Sequence, residues 1–392
     1  MHTLRKIEGM VRNMFHYLDN AATTPVRPEA AQAALKAMTE GWGNPSSRYA
    51  LGTQAAENVK TWRAQVAQAL GCQPGELYFT SCGSEGDNWA IRTAVELGRH
   101  KGKHIITSVL EHSAVLEPCK ALERQGYEVT YLKPDKTGVI SMEDLAAALR
   151  PDTVLVSLML VNNELGTVNP IREAAELIKR SGSPALLHCD AVQGFLKVPF
   201  TPKELGADFV AISGHKIHAP KGVGALYVRS GLKLSPMILG GGQENGMRSG
   251  TEATAQLAAF AAAAQAGYDR LEQDLAHMSE VKAYAAKTLQ ERVPGLVLVG
   301  EGSAPHILPI SMPGYKSEVV LRFLSDRGVY VSSGSACHKG KPSHVYAALN
   351  LPKKVMDGVL RVSFSYDTTK EDVDALAEGL AQAQKLLFTS LS

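Results

Sequence analysis

The sequence predicts an α/β fold in which a large domain, built on a mostly parallel sheet, is followed by a smaller α+β domain. Three observations carry this. Between about Glu76 and Val228, short apolar runs alternate with stretches of helical period, the pattern of a parallel sheet with helices on both faces. Polar clusters recur directly after those runs, at the strand ends outside which such sheets bind ligands. Beyond about Glu252 the alternation stops, and a long alanine-rich helix leads into strands and helices in mixed order.

Taken in order, the large-domain strands are Leu77 to Thr80, His104 to Thr107, Val129 to Leu132, Val154 to Leu160, Ala185 to Cys189, Phe209 to Ile212 and Ala225 to Val228, a seven-stranded sheet. The helices between them run from Asp87 to Leu97, Ser113 to Gln125, Met142 to Leu149 and Ile171 to Arg180. A glycine-rich loop, Gly240-Gly241-Gly242, then leads to Met247-Arg248-Ser249-Gly250-Thr251, and the alanine-rich helix opens near Glu252. The domain junction is expected inside that helix. The expected division is therefore an N-terminal extension at 1–14, a large domain at 15–258 and a small C-terminal domain at 259–392. In the small domain Leu296 to Val299, Val329 to Ser332 and Arg361 to Ser365 read as strands, and Ser317 to Asp326 and Lys370 to Leu387 as helices.

Composition excludes several classes. The 392 residues are 45% hydrophobic and 20% charged, ordinary for a globular chain long enough for two domains. Lys plus Arg number 41 against 39 for Asp plus Glu, with no long basic run, so neither nucleic acid nor an anionic membrane surface is expected as a partner. No apolar run reaches the roughly 20 residues that span a bilayer, and Met1 to Asn13 is too charged for a secretory signal. The five cysteines (Cys72, Cys82, Cys119, Cys189, Cys337) are an odd number with no C-x-x-C pair. That suits a reducing, cytoplasmic setting.

The polar clusters at the strand ends are Ser81 to Glu85, Glu111-His112, Asn162-Asn163-Glu164, Asp190 to Gln193 and Ser213 to Lys216, and together they describe one site. Lys216 opens a Gly/Pro-rich loop after a buried-strand pattern. A lysine there becomes a Schiff-base nucleophile if its surroundings favour the neutral amine, and the cationic neighbours His215 and Lys221 push that way. Ser81-Cys82-Gly83-Ser84-Glu85 leads into a helix, and reads either as an ordinary capping box or as a phosphate site of backbone N–H groups and a hydroxyl. His112 reads as a loop histidine or as a ring stacked on a planar cofactor. Asp190 reads as an N-cap, or as a carboxylate that holds a pyridinium nitrogen protonated. Asn163 and Gln193 are placed to reach a phenolic oxygen. A lysine, an aspartate, an aromatic face and a phosphate cup are what pyridoxal 5'-phosphate requires.

Six motifs in order also resemble a known family. Leu18-Asp19-Asn20-Ala21-Ala22-Thr23-Thr24-Pro25-Val26, Gly43-Asn44-Pro45-Ser46-Ser47, Val161-Asn162-Asn163-Glu164-Leu165-Gly166, Ser213-Gly214-His215-Lys216, Arg248-Ser249-Gly250-Thr251 and Ser332-Ser333-Gly334-Ser335-Ala336-Cys337 are similar to the cysteine desulfurases of the class V aminotransferase fold, over about Tyr17 to the C-terminus. The resemblance implies a fold-type-I pyridoxal-phosphate-dependent homodimer that converts L-cysteine to L-alanine and leaves the sulfur as a persulfide on Cys337, for delivery to an acceptor or scaffold protein in iron–sulfur cluster assembly or a related pathway. It implies Lys216 as the Schiff-base lysine, His112 on the ring and Asp190 on the ring nitrogen, with Asn163 and Gln193 near the ring oxygen. Gly83, Ser84, Ser213 and His215 would hold the phosphate, with Thr251 reaching across from the partner subunit. Arg361 would bind the substrate carboxylate, and Asn44 lies in a substrate-side loop.

Three positions depart from the family pattern. Cys82 stands where glycine is usual, which costs on the order of 1 kcal/mol if that backbone has φ > 0. Tyr49 replaces a frequent histidine, and His338-Lys339-Gly340-Lys341-Pro342 replaces small hydroxyl residues beside the thiol. The stretch around Cys337 is rich in Gly, Lys and Pro and reads as a mobile loop. Two other functions remain open: a pyridoxal-phosphate enzyme in which Cys337 is incidental (a selenocysteine or cysteine sulfinate lyase, or an aminotransferase), and a non-catalytic scaffold that keeps the fold.

Overall fold

The computed structural model describes residues 15–300, 302–333 and 343–389. Its strands are β1 (His16–Tyr17), β2 (Leu77–Thr80), β3 (His104–Ser108), β4 (Glu128–Leu132), β5 (Thr153–Met159), β6 (Leu186–Asp190), β7 (Phe209–Ser213), β8 (Gly224–Val228), β9 (Val297–Leu298), β10 (Ile307–Ser311), β11 (Val329–Tyr330) and β12 (Val359–Ser363). Its helices are α1 (Pro28–Thr39), α2 (Ala50–Leu70), α3 (Gly83–Gly98), α4 (Ser113–Glu123), α5 (Met142–Ala148), α6 (Ile171–Ser181), α7 (Pro202–Leu205), α8 (Thr254–Asp269), α9 (Leu271–Arg292), α10 (Ser317–Ser325), α11 (His344–Ala348), α12 (Lys353–Asp357) and α13 (Lys370–Leu386).

The seven-stranded sheet has the order β2-β8-β7-β6-β5-β3-β4. It is parallel except at β8, which runs antiparallel to both neighbours. Such a sheet is apolar on both faces, and one apolar cluster lies on each side. Val156, Leu158, Leu187 and Val210 face one way; Ile105, Leu155, Phe209 and Leu226 face the other, with Trp89 of α3. The register aligns the functional ends. Met159 pairs with Asp190 and Asp190 with Ala211, while Ser213 pairs with Gly224. The carboxyl ends of β5 and β6 therefore finish at one level, and β7 runs two residues further, to Ser213.

The sequence reading assigns no element before Leu77, yet α1 and α2 lie there and pack on α8. Helix α8 is buried on nearly every side, from Leu257 to Ala264, which accounts for its alanine-rich composition. Leu18, Val281, Ala285, Leu289, Leu308, Ile310, Val320, Val362 and Leu376 form a separate core. That core draws on α9, the sheet β12-β10-β9, α10 and α13. The sequence boundary at 258 thus falls inside a helix packed on the first body, and we propose Arg270, between α8 and α9, as the junction. β1 pairs with β11, so the first described strand joins the small body before the chain crosses to the large one.

Candidate active site

Helix α3 begins at Gly83, a full turn earlier than the sequence suggests, with Cys82 as its N-cap. Cys82 has φ −172° and ψ 172°, extended backbone that any residue adopts, so its side chain costs no strain there. Ser81 gives both its N–H and its hydroxyl to Glu85, and Arg248 closes on the same carboxylate at 2.9 Å. This holds Glu85 below the usual carboxylate range despite burial. With Ser81 occupied, Cys82, Gly83 and Ser84 are the residues of the loop that line the cavity. A Cβ on Gly83 would come within 2.5 Å of Val192, so this turn and the one after β6 pack against each other.

Gly83, Ser84, His112, Asn163, Asp190, Gln193, Ser213, His215, Lys216 and Arg361 line one cavity of about 300 Å³. The structure brings them together from five strand ends and from β12. Lys216 Nζ donates to the carbonyls of Ala21 and Ala22, each at 2.7 Å. Burial lowers its amine to about 7, assisted by the Arg361 guanidinium and opposed by Asp19 and Asp190. The cations that push the same way are Arg361, from the small domain, and then Lys197, not the sequence neighbours His215 and Lys221. Burial lowers His215 to about 4, with Lys216 and Lys221 adding to it, so it is neutral.

Asp190 ends β6, and its Oδ1 accepts the Val192 N–H at 2.9 Å. Burial pushes the carboxyl up, while that hydrogen bond, His112 and Lys216 pull it down. His112 caps α4 through Nδ1, which accepts the Ala114 N–H at 3.1 Å; its proton therefore sits on Nε2. Asn162 accepts the N–H groups of Glu164 and Leu165, an Asx-type turn that presents Asn163. Arg361 is 4% exposed and donates to the Asn163 carbonyl and to Asp19 Oδ1, both at 2.8 Å. Its Nε has no partner among the described residues.

Two expected residues lie elsewhere. Asn44 is exposed and accepts the Ser46 N–H at 2.9 Å, and Thr251 is exposed on the loop after β8; neither lines this chain's cavity. Tyr49 is 59% exposed and precedes α2. Cys337 lies outside the described residues. The chain on either side of it is placed: Ser332 lines the cavity, and His344 Nε2 is 3.1 Å from the Glu111 carbonyl, next to His112. Sequence reasoning missed Asp19, Asp87 and Ser332 as lining residues. Asp19 and Ser332 stood inside quoted motifs; Asp87, 1% exposed, carried no signal beyond its helix position.

The donor set fits pyridoxal 5'-phosphate. Ser213 Oγ is buried with no partner among the described residues beside the first turn of α3, where N–H groups and a hydroxyl suit a phosphate. A lysine amine near neutrality and a buried aspartate complete the set.

The aminotransferase class-V family model matches residues 16–376. A "Cysteine desulfurase IscS" of Methanosarcina thermophila is 40% identical over 375 residues, covering 94% of this chain and 92% of that protein. A "Cysteine desulfurase" of Trichormus azollae is 42% identical over 366 residues, covering 92% and 91%. Among solved structures, a "NifS-like protein" superposes with a TM-score of 0.90 at 34% identity, covering 95% of this chain and 100% of that one. "SspA in complex with cysteine" superposes with a TM-score of 0.76 at 33% identity, covering 90% and 100%.

Proposed function

This chain belongs to the aminotransferase class-V family and is a cysteine desulfurase of the fold-type-I class; we propose that it uses pyridoxal 5'-phosphate on Lys216 and takes the substrate sulfur onto Cys337. The observation that carries the reading is the Lys216 amine, lowered to about 7 in one cavity with the buried Asp190. When bound, the cofactor supplies an electron sink next to the substrate α-carbon. The chain supplies the rest. Asp190, whose carboxyl burial pushes up while the Val192 N–H, His112 and Lys216 pull it down, would meet the ring nitrogen, and the His112 ring would lie against the ring. Gly83, Ser84, Ser213 and His215 would hold the phosphate, and Asn163 and Gln193, which line the same cavity, would meet the ring oxygen.

Arg361 binds the substrate carboxylate, which sets the cysteine sulfur toward the side where Ser332 leads into the Cys337 segment. The Cys337 thiolate forms a bond to that sulfur, the substrate C–S bond breaks, and its electron pair and a proton end on Cβ. The products are L-alanine and a Cys337 persulfide, which balances one L-cysteine and one thiol. Lys216 Nζ, with its pKa near neutrality, and His112 Nε2 are the groups that hold and return the protons.

The working unit is a homodimer in which Thr251 completes the partner's phosphate site. Trp42, Tyr49, Leu51 and Leu239 are 65%, 59%, 48% and 83% exposed, and Gln243 touches Ser46 at 3.5 Å, so the loops bearing them adjoin around Thr251. The persulfide is then passed to an acceptor or scaffold protein in the cytoplasm. No helix among the described residues is long and apolar enough to cross a membrane, and Cys72, Cys82, Cys119 and Cys189 are free thiols. One equivalent of L-cysteine, followed by mass mapping, tests the proposal: one added sulfur on the Cys337 peptide with one alanine released is expected. Sulfide and alanine formation undiminished in Cys337→Ala overturns the role of the cysteine.

A further inference from the structure

Gln193 is 6% exposed and His306 is 1% exposed. Gln193 Nε2 lies 2.8 Å from the Ala21 carbonyl. A carbonyl only accepts, so the atom facing it is the amide nitrogen. The other end, Oε1, then faces His306 Nε2 at 3.3 Å, and since an amide oxygen also only accepts, His306 carries its proton on Nε2. Its Nδ1 is buried with no partner among the described residues, as fits a lone pair with no donor in reach. Burial holds the ring well below the usual histidine range, and the cations that face it, Lys197, Lys282, Arg361 and Lys216, act in the same sense. The neutral Nε2–H form is therefore the working one.

An amide carries two N–H groups. Ala21 takes one, and its carbonyl also takes Lys216 Nζ; the second is left for the cavity that Gln193 lines. The Ala21 contact alone lets the amide turn about a single hydrogen bond. A second anchor, on the oxygen, fixes its plane. We propose that His306 is a positioning residue that locks the Gln193 amide with one N–H aimed at the ring oxygen of bound pyridoxal 5'-phosphate. The idea rests on the cofactor reading above. His306 precedes β10, and its carbonyl accepts the Phe364 N–H at 2.9 Å just beyond β12. His306 and Arg361 therefore sit on one small-domain sheet, so the group that binds substrate and the group that orients Gln193 move as a unit.

The test uses the cofactor-loaded chain, His306→Leu and His306→Gln, and the cofactor-free chain. An N–H given to an anionic oxygen favours its unprotonated form, so losing it raises the midpoint of the pH-dependent change in visible absorbance. A rise of about one pH unit, a tenfold change in proton affinity, is expected for His306→Leu. His306→Gln, which can place an amide N–H near the same point, returns the midpoint toward wild type. In the cofactor-free chain, nitrogen-15 NMR of histidine should show His306 as the neutral Nε2–H form from pH 5.5 to 8.5, with its signals displaced in Gln193→Leu. An unmoved midpoint in His306→Leu, or an Nδ1–H form in wild type, overturns the proposal. If His306→Leu fails to fold, the NMR signals decide. If the chain takes up no pyridoxal 5'-phosphate, the cofactor reading fails instead, and the NMR arm still judges the His306–Gln193 contact.

Discussion

Lys216 stood out as the organising residue only through the polar clusters at the other strand ends, and the reason its amine is lowered was not visible beside it in the sequence. The sequence offers His215 and Lys221 as cationic neighbours, whereas in the fold burial acts first and Arg361, 145 positions away, acts next. Charge proximity in three dimensions has no trace in local sequence. The consequence is testable through pH. Only the neutral amine captures a carbonyl, and with its pKa lowered to about 7 the neutral fraction climbs until the pH passes that value. Uptake of pyridoxal 5'-phosphate by the cofactor-free chain should therefore quicken close to tenfold per pH unit at acid pH and level off above about pH 8. A lysine at its ordinary 10.4 would still be gaining there. Lys216→Ala should lose both the visible absorbance and turnover, while Lys221→Ala, on an exposed residue of the same loop, keeps both. Stopped-flow absorbance of the three chains checks this.

Among the elements, the parallel strands were readable because each is a continuous apolar run, and the observed ends differ from the expected ones by about a residue. The errors have physical causes. The start of α3 was set at Asp87 because Gly83, Ser84 and Gly86 are poor helix formers, yet the turn they build is the one that faces the ligand. Strand β10 was missed because Pro309 sits at its centre and proline demotes a strand reading; it nevertheless pairs with Arg361 across β10 and β12. The worry over Cys82 was a matter of backbone angle, and φ −172° removes it. The tight position is the next one. A methyl on Gly83 meets Val192 at 2.5 Å, a β-branched side chain in the turn that Asp190 holds. Gly83→Ala should thus weaken pyridoxal 5'-phosphate affinity at least tenfold by displacing the helix start, whereas Cys82→Ala should change it less than twofold. Equilibrium titration of the cofactor-free variants distinguishes them; equal effects would mean that the Gly83 turn does not set the phosphate site.

At the scale of the whole molecule, the site is assembled across the junction of two bodies, and one of its expected members lies on neither side of this chain's own cavity. Thr251 sits on a loop whose conformation is held from within. Glu244, at φ 50°, takes a two-point ion pair from Arg63 at 2.8 and 2.6 Å and the Phe79 N–H at 2.9 Å, and Arg248 is tied to Glu85. A backbone strained at Glu244 and Asn245 persists only when such contacts over-determine it, so Thr251 is presented outward on a fixed scaffold. In the proposed homodimer, twofold closure would place each Thr251 at the other subunit's site by one operation. This arrangement makes a prediction that no single-chain site can imitate. Lys216→Ala has no nucleophile, and Thr251→Val has a weakened phosphate site. A hybrid dimer of the two holds one site with an intact lysine facing an intact threonine. After unfolding and refolding an equal mixture, half of the dimers are hybrids, each with one complete site, so roughly a quarter of wild-type activity should appear. If Thr251 serves its own chain, every lysine-bearing site in the mixture keeps the valine, and activity stays at or below half that of Thr251→Val alone.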